Sequence, residues 1–197
     1  MNLPNKLTLL RCALTPLFLA CLVIDFPLHY GAALLVFIVA SLTDYFDGLI
    51  ARKRGQVTNF GKFLDPLADK ALTTAAFLGI MSELGSPAIL CWAVMLILAR
   101  EFAVTSVRLL AAKDGVVVAA SFMGKLKTVM QMVAIIYMLV FRQAVRFMFV
   151  RELLGGAGIL WGSRIGIVLI WVSVVATVVS GIQYIWQLRH HFKETAN

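Results

Sequence analysis

Long apolar runs alternate with short polar breaks along the whole chain. A membrane-spanning helix needs about 20 mostly apolar residues. By this measure the sequence predicts six spanning helices, at 7–25, 32–51, 65–83, 87–111, 124–141 and 164–188. Glycine, proline and polar residues mark the breaks, which fall at 25–31, 53–61, 83–87, 112–115 and 153–158. The pattern therefore predicts an all-α integral membrane protein in which residues 1–197 form a single membrane domain.

The composition agrees with this prediction. Of the 197 residues, 61% are hydrophobic and only 14% are charged, and the mean hydropathy is +0.90. A soluble domain of this size is far more polar. Lys6 and Arg11 precede the first apolar run as they would in a signal peptide, but no small-residue cleavage site leads into a soluble domain. We therefore expect the first helix to be retained.

The basic residues predict the orientation in the membrane. If the N terminus is cytoplasmic, thirteen lysines and arginines fall on the cytoplasmic side. The opposite side receives only four, namely Arg142, Arg146, Arg151 and Arg164. Since positive residues favour the cytoplasmic side, we expect a multi-pass protein of the inner (cytoplasmic) membrane with both termini in the cytoplasm. The net charge of +8 then favours contact with anionic lipid headgroups over binding of nucleic acid.

The segment that contains the first two arginines of the opposite side has a helical pattern of basic and apolar residues. Arg142 and Arg146 lie one helical turn apart, while Phe141, Val145 and Phe149 form a second stripe. This pattern suits a separate helix that lies on the outer headgroups. A plain loop explains the same residues equally well, and both alternatives stay open.

Four aspartates stand near the break between the second and third predicted helices. Asp44 and Asp47 are three residues apart near the end of one helix, and Asp65 and Asp69 are four apart at the start of the next. Each pair therefore shares a helix face. Because a buried carboxylate is costly unless compensated, acidic residues in a membrane segment usually have a function. We expect the four to meet in one polar active site near the cytoplasmic face.

The residue types around the aspartates predict a metal-dependent reaction on a phosphate ester. No cysteine or histidine lies among them, and His29 is expected to lie in a loop, so hard cations such as magnesium, manganese or calcium are favoured. Four carboxylates are enough to bridge two such ions, an arrangement suited to phosphoryl chemistry. Gly48 and Ala51 lack bulky side chains and therefore leave space on one helix face. The guanidinium of Arg52 can bind an anion through two N–H groups. Taken singly, an aspartate can be a helix cap and a glycine a packing contact.

The spacing of these residues resembles the complete signature of the CDP-alcohol phosphotransferases. The fixed positions are Asp44, Asp47, Gly48, Ala51, Arg52, Gly61, Asp65 and Asp69. The segment PNKLTLLR at 4–11 is similar to the N-terminal segment of that family, and the six-helix count agrees. The resemblance implies that a hydroxyl of an acceptor alcohol attacks the β-phosphorus of a CDP-linked lipid and that CMP leaves.

The resemblance also implies roles for particular residues. Two divalent cations, Mg²⁺ or Mn²⁺, would be held by Asp44, Asp47, Asp65 and Asp69. Asp69 would in addition act as the general base on the acceptor hydroxyl. The nucleotide would be held by Asn5, Thr8, Gly48, Ala51 and Arg52. A homodimer is a further expectation from the family.

The second half of the chain carries the residues from which we predict the acceptor. Arg100 lies deep in a predicted span and therefore needs an anionic partner, either Glu101 or one of the aspartates. A phosphate cradle is predicted from Arg108, Lys125, Arg100, Thr105 and Lys127. The positive-inside rule alone is an alternative explanation for the two lysines.

A phosphate-bearing acceptor explains these residues best. The resemblance, which extends to these stretches of the second half, implies glycerol-3-phosphate as the acceptor and CDP-diacylglycerol as the lipid donor. Inositol phosphate and phosphatidylglycerol are alternatives with the same chemistry. A cation or proton transporter is the alternative from another class, although the acids cluster in one hairpin with no mirrored second half.

Overall fold

A computed structural model shows that the chain folds as α-helices. The structure describes residues 3–54, 59–83, 87–113 and 122–195, and the side chains of residues 6–44, 67–68, 70–83, 88–111 and 122–186. The helices of this described part are α1 (Leu3–Val23), α2 (His29–Arg54), α3 (Asn59–Glu83), α4 (Pro87–Lys113), α5 (Phe122–Arg146) and α6 (Met148–Thr195). Each predicted span falls almost wholly within one helix, which confirms the all-α prediction.

Several of these helices are long and apolar enough to cross a membrane. Within the described part of the chain, four stretches meet this condition, namely Lys6–Val23, Ala88–Ala111, Phe122–Arg146 and Met148–Trp186. A shorter apolar helix covers His29–Asp44, where the aspartates of α2 begin. The protein is therefore a multi-pass membrane protein, and the count of six spans stays a prediction.

The structure corrects two predictions from the sequence. Arg142 and Arg146 belong to the last two turns of α5, so they do not lie in a separate interfacial helix or in a loop. His29 is the first residue of α2 and is buried, whereas we expected it in a loop. The physical reason is common to both, since these residues bind each other and their neighbours, as described below.

The predicted break at 153–158 is confined to a single residue. Gly155 has φ 60° and ψ −179°, and the chain is helical on both sides of it. Other residue types rarely adopt this backbone conformation, so glycine is required here. The short helix 148–154 therefore precedes the long remainder of α6, and Phe149 and Leu153 on it are exposed.

The chain divides into two compact units. The first unit contains Met1–Gly85 and Ile135–Ser163, that is α1, α2, α3, the second half of α5 and the start of α6. The second unit contains Ser86–Ala134 and Arg164–Asn197, that is α4, the first half of α5 and the remainder of α6. The predicted metal and nucleotide residues lie in the first unit, and the predicted acceptor residues lie in the second.

In the first unit, α1 packs against α2 and α3. Phe18 of α1 and Phe37 of α2 are fully buried, and their ring centroids are 5.9 Å apart. Ala33, Ala40 and Ala76 are also fully buried, and such small residues allow membrane helices to approach closely. This packing positions the two helices that carry the aspartates.

A polar network joins α2, α3 and α5 at one end of the first unit. The hydroxyl of Tyr30 donates to Glu83 Oε2 at 2.5 Å. Arg142 donates to the carbonyl oxygen of Glu83 at 2.5 Å, and Arg146 pairs with Asp25 at 2.7 Å. His29 Nε2 lies 2.9 Å from Arg146 Nη1. The network fixes α2 and α3 at the ends remote from their aspartates, because Tyr30 is fourteen residues, or about 21 Å of helix, before Asp44.

The hydroxyl of Tyr30 is expected to contribute measurably to stability. Removing it in Tyr30→Phe should lower Tm by about 3–12 °C, because a hydrogen bond to a charged group contributes about 1.5–3 kcal/mol and 1 kcal/mol shifts Tm by about 2–4 °C. Thermal unfolding of the purified protein measures this. Tyr137→Phe is the control, since its hydroxyl donates to a neutral carbonyl, that of Gly162, at 3.0 Å, and it should lower Tm less. Equal Tm values for Tyr30→Phe and the parent protein would contradict the prediction.

The same variant has a predicted pH dependence. The pKa of Tyr30 is raised to about 12, first by burial and then by its hydrogen bond to Glu83 and the charge of that residue. A tyrosine in the unfolded chain titrates near pH 10. The stability provided by the hydroxyl is therefore fully present below pH 10 and is lost as the pH rises towards 12. The Tm difference between the parent and Tyr30→Phe should shrink over that interval.

Candidate active site

The helices of the first unit place the four aspartates in the phase that the sequence predicts. α2 is helical without interruption through Asp44 and Asp47, and α3 is helical through Asp65 and Asp69. Residues three or four apart on a helix share a face, so the helical backbone is compatible with the predicted pairs, whose common site stays a prediction. The side chains of Asp47, Asp65 and Asp69 lie outside the described residues, as do those of Asn5, Gly48, Ala51 and Arg52.

Asp44 is the signature aspartate whose side chain is described. Its carboxylate is 43% exposed, and Oδ1 lies 2.5 Å from Nη1 of Arg11. The side chain of Arg11 is only 1% exposed. A guanidinium buried to this degree requires an anionic partner, and Asp44 provides it. Arg11 therefore orients the carboxylate of Asp44 and offsets its negative charge.

Arg11 is a buried charged residue that the sequence analysis counted among the cytoplasmic charges and in the family-like segment 4–11, but for which it predicted no contact. Thr8, a predicted nucleotide residue, lies three residues before it on α1 and is also 1% exposed. The two side chains therefore form a buried polar strip on one face of α1. The signal in the sequence was the placement of an arginine inside an apolar helix, one turn after a threonine.

The donor set of the first unit suits a hard divalent cation. The four acidic positions of the signature are all aspartates, and the described side chains contain no group of three or more histidine, cysteine, aspartate or glutamate residues. Carboxylate oxygens are the ligands that magnesium and manganese prefer. Asp44 fits this chemistry because it is partly exposed and held by a neighbouring charge.

In the second unit, Glu101 connects two of the predicted acceptor residues. Lys127 Nζ pairs with Glu101 Oε1, and Arg100 Nη1 lies 3.3 Å from the same oxygen. Arg100 Nη2 donates a hydrogen bond to Ser180 Oγ at 2.7 Å. The structure therefore identifies Glu101 as the anionic partner that Arg100 needs, which was one of the two partners considered from the sequence.

The other predicted acceptor residues are more open. The guanidinium carbon of Arg108 lies 5.4 Å from the ring centroid of Tyr184, which is buried. A cation over an aromatic face is held there while its N–H groups stay available for hydrogen bonds. Lys125 is exposed and Thr105 is partly buried. The structure thus brings Arg100 and Lys127 together, and it places Arg108 on an aromatic support.

The chain matches one protein family over most of its length. The family model described as CDP-alcohol phosphatidyltransferase matches residues 1–179. A protein of Bacillus subtilis named CDP-diacylglycerol--glycerol-3-phosphate 3-phosphatidyltransferase is 41% identical, covering 93% of each chain. A protein of the same name from Rickettsia bellii is 35% identical, covering 97% of each chain.

A third relative carries a related name. The probable phosphatidylglycerophosphate synthase of Mycobacterium tuberculosis is 38% identical over 93% of this chain and 80% of its own length. These matches extend well beyond the segment that carries the four aspartates, since the family model covers α1 to α5 and most of α6. The resemblance that the signature suggested is confirmed, and the chain belongs to the CDP-alcohol phosphatidyltransferase family.

Proposed function

We propose that the protein transfers the phosphatidyl group of CDP-diacylglycerol to the primary hydroxyl of glycerol-3-phosphate, giving phosphatidylglycerophosphate and CMP. It would thus be a CDP-diacylglycerol–glycerol-3-phosphate 3-phosphatidyltransferase. One observation carries the proposal. Relatives that bear this name share 34–41% identity with nearly the whole chain, and the complete signature lies on two continuous helices.

The reaction exchanges one phosphorus–oxygen bond for another. The acceptor hydroxyl oxygen attacks the β-phosphorus, the bond from that phosphorus to the oxygen of CMP breaks, and CMP leaves with the electron pair. The hydroxyl proton passes to a carboxylate, for which Asp69 is the proposed general base. Such transfers depend on positioning and charge neutralisation more than on covalent help from the protein.

The aspartates are proposed to hold two divalent cations, Mg²⁺ or Mn²⁺. The oxygen donors on α2 and α3 support this assignment, as does the general dependence of the family on divalent metals. When bound, the cations neutralise charge on the diphosphate and lower the pKa of the reacting hydroxyl. Arg11 keeps the carboxylate of Asp44 oriented through their 2.5 Å contact.

The donor nucleotide is proposed to bind beside the aspartates. Gly48 and Ala51 leave space along α2 for the cytidine and diphosphate, and Arg52 supplies a positive fork. Asn5 and Thr8 would complete the nucleotide contacts from α1. The buried position of Thr8 next to Arg11 supports a role in the interior of the first unit.

The phosphate of the acceptor is proposed to bind to the second unit. Arg108 and Lys125 offer exposed positive charge, and Thr105 offers a hydroxyl. Arg100 and Lys127 add two further cations, and both contact Glu101. These basic residues support an acceptor with a phosphate over one without it, such as serine, choline or ethanolamine.

The membrane arrangement belongs to the same proposal. We propose six spans in the inner membrane, with cytoplasmic N and C termini and the aspartates near the cytoplasmic face. The six helices and the excess of basic residues at the cytoplasmic ends support it. A homodimer is also proposed, on the basis of the family.

A competition among acceptors tests the proposed substrate. Purified protein receives CDP-diacylglycerol, Mg²⁺ and an equimolar mixture of glycerol-3-phosphate, inositol phosphate, serine and phosphatidylglycerol, and mass spectrometry identifies the lipid products. We expect phosphatidylglycerophosphate as the main product. A main product built on inositol phosphate or phosphatidylglycerol would replace the acceptor in the proposal but keep the chemistry.

Arg108 offers a specific prediction about the acceptor. Arg108→Gln should raise KM for glycerol-3-phosphate by about 10-fold or more, because a charge-assisted hydrogen bond contributes about 1.5–3 kcal/mol. KM for CDP-diacylglycerol should change by less than about 2-fold. Arg108→Lys should lie between the two, since lysine keeps the charge but lacks the planar fork. Equal increases in both KM values would argue that Arg108 supports the fold instead.

A further inference from the structure

Two arginines of α4 meet one turn of α6 in the second unit. Arg100 and Arg108, both predicted to bind the acceptor phosphate, lie eight residues apart on α4. Their partners on α6 are Ser180 and Tyr184. These two residues are four positions apart and therefore share a face of α6. Both are buried, with Ser180 1% and Tyr184 3% exposed.

The contact with Ser180 fixes the end of the Arg100 side chain. Nη2 of Arg100 donates a hydrogen bond to Ser180 Oγ at 2.7 Å. The aliphatic part of the arginine passes close to Gly181, where an added Cβ would lie 2.8 Å from Cγ of Arg100. A glycine is therefore needed for this close approach. Gly181 gives the arginine room, and Ser180 accepts its hydrogen bond.

The ring of Tyr184 supports the guanidinium of Arg108. The guanidinium carbon lies 5.4 Å from the ring centroid. The ring is itself held against α4, because Tyr184 forms a buried cluster with Val104 and Ala111, and Val107 packs against this cluster. Arg108 is exposed, so a ligand can reach it. An aromatic face attracts a cation without using its N–H groups, which stay available for an anion.

Packing alone does not require a serine and a tyrosine at these positions. Apolar side chains pack equally well in a membrane helix, whereas a buried hydroxyl needs a hydrogen-bond partner. For Ser180 the described partner is Arg100. The hydroxyl of Tyr184 makes no hydrogen bond within the described part of the chain, so the described contacts of this residue are those of its ring. Both residues lie beyond position 179, where the match to the family model ends.

We propose that this turn of α6 positions the acceptor site, with Ser180 and Tyr184 as its positioning residues. They hold the guanidinium groups of Arg100 and Arg108 in the places where these receive the acceptor phosphate. The inference rests on the proposed function, since it assumes a phosphate-bearing acceptor. Ordering a long arginine side chain costs free energy when a ligand binds. A guanidinium that α6 already holds avoids much of this cost, so the phosphate binds more tightly.

The first test removes the aromatic face from Arg108. Tyr184→Leu keeps a buried apolar side chain but provides no ring. We expect KM for glycerol-3-phosphate to rise about 5-fold, equivalent to about 1 kcal/mol, while KM for CDP-diacylglycerol changes less than about 2-fold. Tyr184→Phe keeps the ring and should stay within about 2-fold of the parent in both KM values. An unchanged KM for glycerol-3-phosphate in Tyr184→Leu, or an equal increase in both variants, would overturn the proposal.

A double-mutant cycle tests whether Tyr184 acts through Arg108. If it does, Tyr184→Leu should leave KM for glycerol-3-phosphate nearly unchanged in a protein that already carries Arg108→Gln. If the two increases in KM multiply instead, the tyrosine and the arginine act independently. That result would overturn the assignment of Tyr184 as a positioning residue.

Ser180→Ala tests the contact with Arg100 and keeps every ring and charge. Loss of the hydrogen bond should raise KM for glycerol-3-phosphate about 3–10-fold at unchanged KM for CDP-diacylglycerol. Ser173→Ala is the matched control, because Ser173 is also a buried serine of α6 but donates to the carbonyl oxygen of Ile170 in the same helix. It should leave both KM values unchanged. Equal KM values for the two alanine variants would contradict the proposal, also if Tyr184→Leu fails to fold.

The acceptor competition separates this inference from the proposed function. Formation of phosphatidylglycerophosphate by the parent, together with a raised KM for glycerol-3-phosphate in Tyr184→Leu and Ser180→Ala, supports both. If the parent forms this product but neither variant changes that KM, the positioning role is wrong and the proposed function stands. If the parent transfers the phosphatidyl group only to an alcohol without a phosphate, the proposed function and the positioning role are both wrong.

Discussion

Replacing Asp69 with asparagine is expected to lower kcat by about 10³-fold or more, the scale on which loss of a general base reduces catalysis. Asparagine has nearly the size of aspartate but cannot accept the proton of the acceptor hydroxyl, and it removes one carboxylate from the proposed metal ligands. Binding of the donor should largely persist, because the proposed nucleotide contacts lie on α1 and α2. CMP release measures the first effect, and equilibrium binding of labelled CDP-diacylglycerol measures the second.

Asp25→Asn is the matched control for this experiment. Asp25 is also an aspartate of the first unit, but it is 75% exposed and pairs with Arg146 in the polar network remote from the signature. It should retain nearly the parent kcat. If Asp69→Asn keeps more than about a tenth of the parent kcat, Asp69 is not the general base.

Replacing Arg11 with methionine is expected to lower kcat by about 100-fold, equivalent to about 2.7 kcal/mol of transition-state stabilisation. The guanidinium is buried and contacts Asp44 at 2.5 Å, so its loss removes a positive charge that positions a proposed metal ligand. Arg11→Lys keeps the charge but loses the fork, and it should lose about 10-fold. Stability should fall by about 1–3 kcal/mol, less than for a fully buried pair because Asp44 is partly exposed.

Lys6→Met distinguishes this role from the effect of charge on topology. Lys6 lies on the same helix and also counts among the cytoplasmic charges, but its side chain is exposed. If Arg11 serves only the orientation in the membrane, the two methionine variants should behave alike. We expect Lys6→Met to retain the parent kcat, so a kcat for Arg11→Met within about 3-fold of that of Lys6→Met would contradict the prediction.

The sequence was sufficient to predict the helices and the phase of the aspartates. Long apolar runs and the breaks between them depend only on local composition, and α2 and α3 continue through both aspartate pairs as their spacing requires. The family was also recognisable from the signature, because eight fixed residues are read directly from the chain.

The contacts between distant residues were not predictable in the same way. Arg11 and Asp44 are 33 positions apart, and they meet because α1 packs on α2. The sequence-based prediction ended the fifth helix too early, at residue 141, whereas α5 continues to Arg146, and the reason is similar. The sequence suggested that Arg142 and Arg146 face lipid headgroups, but Arg142 donates to the carbonyl oxygen of Glu83 and Arg146 pairs with Asp25. Hydrophobic periodicity carries no information about such partners.

Glu101 shows a different limit of the sequence. Its neighbour Arg100 suggested an ion pair, and the structure confirms that pair. Its second partner, Lys127, lies on α5 and was assigned to the phosphate cradle without a link to Glu101. Only the fold of the second unit identifies the three charges as one group.

The path of one oxygen atom tests the central claim most directly. The purified protein receives CDP-diacylglycerol, Mg²⁺ and glycerol-3-phosphate labelled with oxygen-18 at its primary hydroxyl, and mass spectrometry follows the label. Attack on the β-phosphorus predicts labelled phosphatidylglycerophosphate and unlabelled CMP in equal amounts. Release of phosphatidate with the label in a cytidylyl product, or no CMP release with any acceptor while ions cross proteoliposomes that contain the protein, would contradict the account.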